Sequence, residues 1–311
     1  GVRLVGSEMC IRDRICVMIK ARFYGSSRLP YFEGWYLKQQ NGRDTVALIP
    51  AIHIDRRGGC SASLQVITNE GSYAVKYPIR QFSVQKRPAV LRLGNNIFSE
   101  RGCHLFCQTP ELDLKGMLRY GPMSRPAADI MGPFRFIPFM ECRHSVFSLA
   151  HRVNGHITVN GKCYYFRDGT GYMEGDCGRS FPRRYLWTQA NIGGNSVMLS
   201  VADIPFGGIH FSGCIASVYL RGEEYRFATY LGAQVQALHD GQVVIRQGSD
   251  ILAARLLEPA PHPLYAPRFG DMSRVIHESP SCKVQYIFKK RKNVLLNAVT
   301  SQASFEDAWN Q

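Results

Sequence analysis

Short phrases recur along the chain in the same order, and this repetition strongly constrains the fold. The sequence YFEGWY at residues 31–36 returns as YMEGDCG at residues 172–178. Downstream, IPAIH at 49–53 is matched by IPFGGIH at 204–210, and GSYAVKY at 71–77 more loosely by GEEYRFA at 222–228. A period near 150 residues indicates a repeated domain, since solenoid repeats are much shorter. The pattern predicts a duplicated fold, with Glu33 and Glu174 at equivalent positions of its two halves.

The chain is long enough for two such halves, because 311 residues can bury two cores of ordinary size. We expect a first half over residues 22–138, a second over 139–290 and a tail over 291–311, where Ser304 could open a short helix. Residues 5–14 (VGSEMCIRDR) resemble the translation of a sequencing adapter at the end of a metagenome-derived reading frame. Residues 1–21 are therefore predicted to be adapter-derived or unstructured.

The local texture of the sequence is that of β-strands. Short runs rich in Val, Ile, Phe and Tyr are separated by turn sequences such as Asn41-Gly42, Asn160-Gly161 and Asp240-Gly241. Such pairs favour tight hairpin turns, in which both central residues have positive φ. The most apolar stretch, residues 197–220, contains Asp203 and Pro205, so two strands joined by a turn fit it better than a membrane span. The sequence predicts an all-β, antiparallel fold without a transmembrane segment or a visible signal peptide.

The ten cysteines and the basic charge exclude several functions. No Cys-x-x-Cys pair occurs, and Cys103, His104 and Cys107 lack the further ligands that a zinc site needs, so we expect reduced thiols and no metal. The net charge is +14, but Lys and Arg are spread along the chain, with one dense run at residues 289–292. We therefore expect no nucleic acid partner. A basic surface is equally compatible with an anionic membrane, so the expected location is cytoplasmic or peripheral to a membrane.

Several motifs resemble the tocopherol cyclase family. They are YFEGWYLK at residues 31–38, IMG at 130–132, PFMECRH at 138–144, GYMEGDCGRSFPRRYLWTQAN at 171–191 and EYRFATY at 224–230. The resemblance covers residues 28–290. It implies two lipocalin-like β-barrel halves and, in the plant and cyanobacterial members, closure of a prenylated hydroquinol to a chromanol without a cofactor. The expected partner is thus an apolar small molecule, either a prenylated quinol or a polyene lipid.

Ring closure of this kind needs a protonated acid, a group that takes the phenol proton, and aromatic faces beside the developing cation. A carboxyl buried in an apolar barrel stays protonated because desolvation raises its pKa, so it can act as a general acid. The predicted catalytic residues are Glu174, Asp176, Glu33, Glu141 and His144. The predicted substrate-binding residues are Trp35, Tyr36, Tyr172, Tyr185, Trp187, Gln189, Asn191 and His210.

Each assignment has a plainer alternative. Glu33 could instead hold a structural ion pair, His144 and His210 could be ordinary core or surface residues, and the tryptophans could be packing. The protein is accordingly either a tocopherol-cyclase-like cyclase or isomerase, or a non-catalytic carrier of an apolar ligand. A carboxyl deep in an apolar cavity would favour the enzyme.

The chain also departs from the family's pattern inside its best motif. The family's motif reads Tyr-x-Glu-Lys-Asp-Trp-Gly. This chain has Gly175 in place of the Lys and Cys177 in place of the Trp. We expect these changes to remove a cation from the carboxylates and to widen the cavity, which would favour a substrate other than the usual tocopherol precursor.

Overall fold

The chain folds into two large antiparallel β-sheets. The computed structural model describes residues 21–25, 29–137, 140–206 and 208–309, with the backbone alone at Phe206. The first sheet contains β1 (Tyr31–Gln40), β2 (Thr45–Ile54), β3 (Cys60–Thr68), β4 (Ser72–Pro78), β5 (Phe82–Lys86), β6 (Ala89–Leu93), β7 (Asn96–Ser99), β8 (Gly102–Gln108), β9 (Asp113–Tyr120), β10 (Cys142–Val159) and β11 (Lys162–Gly178). The predicted adapter-derived segment lies outside the described residues, except for Ala21.

The second sheet is built from the remaining strands. These are β12 (Tyr185–Ile192), β13 (Asn195–Phe206), β14 (Ile209–Leu220), β15 (Glu223–Ala228), β16 (Gln234–His239), β17 (Gln242–Gln247), β18 (Asp250–Glu258), β19 (His262–Arg268), β20 (Asp271–Lys290) and β21 (Asn293–Asp307). Three 3-10 helices, Ile79–Gln81, Gly132–Phe136 and Thr229–Leu231, are the helical elements of the described residues. No helix in the described part of the chain is long and apolar enough to cross a membrane.

The two sheets share one strand order. The first runs β4-β3-β2-β1-β11-β10 and continues to β5, and the second runs β15-β14-β13-β12-β21-β20 and continues to β16. Each is a meander closed by pairing an early strand with a late one, and the first curves into a nearly closed barrel. The predicted all-β, lipocalin-like fold is confirmed, while descent by duplication stays a prediction.

Two of the three predicted turns behave as their sequences predict, while at Asn41-Gly42 only the glycine has positive φ. Asn160-Gly161 and Asp240-Gly241 have positive φ at both residues and join β10 to β11 and β16 to β17. The apolar stretch at 197–220 forms the hairpin of β13 and β14, as expected. These short connections explain why neighbouring strands in the chain are neighbours in the sheets.

The boundaries predicted for the halves are wrong. The sheets divide between Gly178 and Tyr185, not at residue 138, because β10 and β11 pair with β9 and β1 of the first sheet. Residues 293–307 of the predicted tail form β21, a central strand between β12 and β20. Ser304 lies in that strand opposite Gln189, so no helix begins there. A central strand so far along the chain is set by long-range pairing, which local sequence patterns do not report.

The first repeated phrase also does not relate the two halves. Glu33 on β1 and Glu174 on β11 belong to hydrogen-bonded neighbours within the first sheet, where Glu33 lies opposite Cys177 and Glu174 opposite Tyr36. Their expected equivalence is therefore wrong. Of the two later repeats, GSYAVKY and GEEYRFA fall on strands with the same place in each sheet, β4 and β15, whereas IPAIH lies within β2 and IPFGGIH begins at the end of β13 and finishes on β14.

Three apolar clusters fill the molecule. One fills the first sheet around Trp35, Leu37 and Phe147, and a second fills the other sheet around Tyr286 and Phe288. The third draws buried side chains from both sheets, including Tyr36, Tyr172, Tyr185, Trp187 and Leu264. Because strand side chains alternate in direction, β1 packs Trp35 and Leu37 into its own sheet and turns Tyr36 toward the other sheet. The interface between the sheets is thus a core in its own right.

Candidate active site

A cavity of about 190 Å³ is lined by residues of both sheets. A single water needs about 10–15 Å³ on this measure, so the space can accept an organic group. Its apolar wall includes Phe32, Trp35, Ile49, Met131, Phe134, Phe181, Ile215, Leu264, Met272 and Ile276. The resemblance to the family predicts a pocket inside one barrel. The cavity instead receives side chains from both sheets, while the sheet interiors hold the two other clusters.

A histidine lies between two carboxylates on the first sheet's side of the cavity. His144 on β10 is opposite Asp176 on β11, and its Nδ1 is 2.9 Å from Asp176 Oδ1. Its Nε2 is 3.3 Å from Glu174 Oε2, within ion-pair distance but outside hydrogen-bond geometry. The Tyr172 hydroxyl donates to the same Glu174 oxygen at 2.5 Å. Glu174 and Asp176 are two residues apart on one strand, which is why both face the cavity.

This arrangement favours a charged His144. Burial alone would lower the pKa of the imidazole, but the carboxylates of Glu174 and Asp176 outweigh it and raise that pKa well above its ordinary value. The contact of Nδ1 with Asp176 orients the ring, and Nε2 lies near Glu174 without a hydrogen bond. The structure brings three of the predicted catalytic residues, His144, Glu174 and Asp176, into contact at one site.

Two further carboxyls, Glu278 on β20 and Glu306 on β21, lie opposite one another on the second sheet's side. Both are almost fully buried. Tyr36 donates to Glu278 Oε1 at 2.5 Å, and Tyr185 donates to Glu306 Oε1. Among the described residues neither Oε2 atom has a hydrogen-bond partner, so each carboxyl keeps one oxygen for a ligand.

Burial favours the protonated form of these two carboxyls. It raises the pKa of Glu278 to about 7, against the opposing effects of the Tyr36 hydroxyl and the Lys38 ammonium. The pKa of Glu306 is raised well above its ordinary value by burial first and by Glu278 second. Carboxyls held protonated near neutral pH have the property that general acid catalysis requires.

The sequence reasoning missed Glu278 and Glu306. Neither lies in a motif shared with the family, and Glu306 falls in the region expected to be a tail. The sequence VIHES at residues 275–279 does not alternate between apolar and polar residues, and the alternation of burial along β20 that ends at Glu278 is seen only in the structure. Without the register of β20 and β21, the sequence could not show which cavity the side chain enters.

Several predicted residues line the cavity as expected. They are Trp35, Tyr36, Glu141, Tyr185 and Trp187, together with His144, Glu174 and Asp176. Trp187 packs edge-on against Tyr36, with ring centres 5.4 Å apart. Its buried indole N–H has no hydrogen-bond partner among the described residues, so it is available to an acceptor atom of a ligand.

Other predicted residues lie outside the lining. The Glu33 carboxylate accepts hydrogen bonds from Tyr31 and from the backbone N–H groups of Tyr24 and Gly25, so it anchors the segment before β1. Glu33 thus has a structural role through these hydrogen bonds, with no ion pair among the described residues, and its predicted catalytic role lacks support. Tyr172 does not line the cavity, but its hydroxyl donates a hydrogen bond to Glu174, which does. The other three serve elsewhere: Gln189 accepts from Lys38, Asn191 donates to the Leu149 carbonyl, and the exposed His210 pairs with Asp203.

The departures from the family pattern do not face the cavity. Gly175 and Cys177 alternate with Glu174 and Asp176 and point to the other side of β11. Cys177 is buried beside Tyr31 and Glu33. The expectation that these positions alter the cavity's charge and width is therefore wrong, because strand alternation turns them away from it.

Gly175 is required by close packing. A Cβ atom there would lie 2.8 Å from Phe147 Cε2 and 3.1 Å from both Gly34 O and Trp35 Cδ1. We expect Gly175→Ala to lower the free energy of unfolding by about 1–3 kcal/mol, as overpacking of a core does, measured by urea denaturation. Gly71→Ala is the control, because its Cβ would meet nothing closer than 3.6 Å. Equal stability of the two variants would contradict this account.

One group of side chains could hold a metal ion. Ligand atoms of His144, Glu174 and Asp176 all lie within 4.8 Å of one another. The donor set of one imidazole and two carboxylates suits several divalent cations. The predicted absence of a Cys103, His104 and Cys107 site agrees with strand geometry, since both cysteines are buried in the first sheet's core while His104 is exposed on the opposite face.

Comparisons with known proteins agree with this fold. Residues 106–208 match the family model described as tocopherol cyclase-like. A Nitrosomonas europaea protein designated AttH superposes with a TM-score of 0.55 at 10% identity, over 92% of this chain and 94% of that one. Kievitone hydratase from Nectria haematococca gives 0.53 at 11% identity, over 93% and 94%. A search of curated proteins found no match. The chain is thus similar in sequence to tocopherol cyclase-like proteins over residues 106–208, and it shares its fold with both solved structures.

Proposed function

We propose that the protein is an acid–base enzyme that adds an oxygen nucleophile across, or isomerises, a carbon–carbon double bond of an apolar substrate. A prenylated quinol or a polyene lipid is the substrate class that fits. The observation that carries this proposal is the presence of two buried carboxyls, Glu278 and Glu306, in an apolar cavity wall. A carrier of apolar molecules has no need of them, and burying an ionisable group costs stability.

Glu278 is the proposed general acid. A pKa of about 7 places it near the optimum for proton transfer at neutral pH, and its Oε2 has no other described partner. In the proposed step, the Oε2 proton passes to one alkene carbon while a phenol oxygen, or a water oxygen, bonds to the other. Glu306 lies opposite and holds the second proton of this carboxyl pair.

Asp176 is the proposed acceptor of the nucleophile's proton. Its Oδ1 is occupied by His144 Nδ1 and the Cys142 thiol, and Oδ2 has no described partner. The His144 imidazole lies 2.9 Å from this carboxyl group. One proton leaves Glu278 and one arrives at Asp176, so the two side chains together hold the same number of protons as before. A proton must then return from Asp176 to Glu278 before the next turnover.

The aromatic wall suits the cationic charge that alkene protonation creates. The rings of Tyr36 and Trp187 lie at the second sheet's side of the cavity beside Glu278 and Glu306. A cation over such faces gains about 0.5–2 kcal/mol. The free Trp187 N–H can hold a substrate oxygen. The names of the similar proteins, a cyclase and a hydratase, denote additions of O–H to double bonds, which fits this chemistry.

Deuterium labelling tests the proposal directly. The protein is incubated in D2O with phytyl and geranylgeranyl hydroquinols, and the recovered molecules are analysed by chromatography and mass spectrometry. We expect product, a chromanol or an isomer, with one deuterium on a former alkene carbon, because the acid's proton exchanges with solvent. Lipid co-purifying with the protein identifies further substrates for the same assay.

The carrier alternative predicts a different result. A carrier would retain these molecules and return them unlabelled at every pH. Binding without deuterium uptake across the hydroquinols and the co-purified lipids would refute the enzyme and leave a lipid-binding protein.

A further inference from the structure

Exposed arginines surround one end of the cavity. We call Arg56, Arg57, Arg183, Arg184 and Arg268 the basic rim. Arg183 follows Pro182, and Arg268 follows Pro267, and both prolines line the cavity. The basic rim therefore lies beside the cavity wall, on segments far apart in the sequence.

Direct contacts bring these segments together. The Arg56 guanidinium lies 3.9 Å from the centre of the Phe269 ring. The Phe181 N–H donates to the Pro267 carbonyl at 3.1 Å, and the Asp203 N–H donates to the Arg184 carbonyl at 2.9 Å. The loop after β2, the segment before β12, the β13–β14 hairpin and the β19–β20 turn thus form one surface.

Apolar side chains project from the same surface. Leu29 is 50% exposed, Phe269 38% and Ile209 66%. Leu29 approaches Gly58 in the loop that carries Arg56 and Arg57, and Ile209 pairs with Phe206 next to the cavity-lining Pro205. Exposed apolar tips among arginines are costly in water and are typical of surfaces that enter a lipid interface.

Three carboxylates offset part of this charge. Asp55 accepts hydrogen bonds from the backbone of its own loop, and Asp203 pairs with His210. Asp271 is the remaining carboxylate of these segments within the described residues. Arginines therefore outnumber carboxylates on this surface, and the Lys289–Lys292 run lies at the other end of the twenty-residue strand β20.

We propose that the basic rim and its apolar tips dock on an anionic lipid bilayer, so that the cavity opens onto the membrane. The proposal rests on the proposed function in one respect, since an apolar substrate would reside in that membrane. Arginines would contact lipid phosphates, and Leu29, Phe269 and Ile209 would enter the headgroup region. The chemistry favours lipid over nucleic acid, because nucleic acid would gain nothing from the aliphatic tips.

Vesicle sedimentation of the full chain tests this assignment. Wild type is mixed with vesicles of phosphatidylcholine alone or with 30% phosphatidylserine. The triple variant Arg56→Ser, Arg183→Ser, Arg268→Ser is compared with Lys289→Ser, Lys290→Ser, Lys292→Ser, which loses the same charge at the far end of β20. Each basic residue near an anionic surface contributes about fivefold, so we expect about a hundredfold weaker binding of the rim variant and near wild-type binding of the control.

The apolar tips are tested separately by Leu29→Ser with Phe269→Ser. We expect binding that persists only at low salt, because electrostatic attraction alone is screened. Equal losses in the two triple variants would show a bulk charge effect and overturn the proposal, as would no binding of wild type to phosphatidylserine vesicles.

Turnover in detergent micelles separates the membrane-docking hypothesis from the enzyme hypothesis, since none of the changed residues lines the cavity. A rim variant active in micelles but not on vesicles supports both, and vesicle binding without turnover in micelles refutes only the enzyme.

Discussion

Glu278→Gln is expected to lower kcat by about a hundred- to ten-thousand-fold, the usual contribution of a general acid, while ligand binding changes by only a few-fold. The amide keeps the shape of the side chain and can still accept from Tyr36, but it has no proton of suitable acidity to transfer. Steady-state kinetics with the deuterium assay measures the first quantity, and ligand-induced quenching of tryptophan fluorescence measures the second.

Glu33→Gln is the matched control. Like Glu278, Glu33 is buried and accepts a hydrogen bond from a tyrosine, in this case Tyr31 of its own strand. Unlike Glu278, it does not line the cavity. We expect nearly unchanged kcat and a loss of stability of about 1–3 kcal/mol, because the amide NH2 of Gln cannot accept the hydrogen bonds that one carboxyl oxygen accepts. A Glu278→Gln enzyme with wild-type kcat would place the acid elsewhere, with Glu306→Gln as the next variant to examine.

Lys38→Met is expected to move the alkaline limb of the pH–rate profile to higher pH. Activity requires protonated Glu278, so kcat/KM should fall as pH rises through about 7. The Lys38 ammonium lowers the pKa of Glu278, and removing that charge lets the pKa rise, so the acid stays protonated to higher pH. The direction of the shift is the measured outcome.

Lys38 can act on Glu278 because it is enclosed. Its ammonium is fully buried between the sheets and donates to Gln189 Oε1 and the Gln302 carbonyl, and burial lowers its own pKa to about 7. Lys86→Met is the control, since Lys86 influences Glu33 outside the cavity. A limb that stays in place or moves to lower pH in Lys38→Met would show that Lys38 does not tune the acid.

Local patterns predicted the parts of the structure that depend on local chemistry. Asn160-Gly161 set a hairpin because of its φ preferences. The motifs that resemble the family contain Glu174, Asp176 and His144, and all three line the cavity. These predictions needed no knowledge of which strands pair across the chain.

The missed parts all depend on distant pairing. Strand β11 joins β1, and β21 joins β12, across more than a hundred residues, and this pairing decided the sheet boundary, the fate of the predicted tail and the position of Glu306. The same pairing placed Glu33 and Glu174 in one sheet. A one-residue alternation also turned Gly175 and Cys177 away from the carboxylates, which a motif comparison does not register.

The strand order of the chain has a consequence for synthesis on the ribosome. Every strand of the first sheet, residues 31–178, emerges before any strand of the second, so the first can complete its ladder while the second is still being translated. Until the second sheet docks, the nascent protein would expose Tyr36, Val146 and Tyr172 to solvent. Docking of the second sheet would cover that face and complete the cavity in the same step, because both sheets line it.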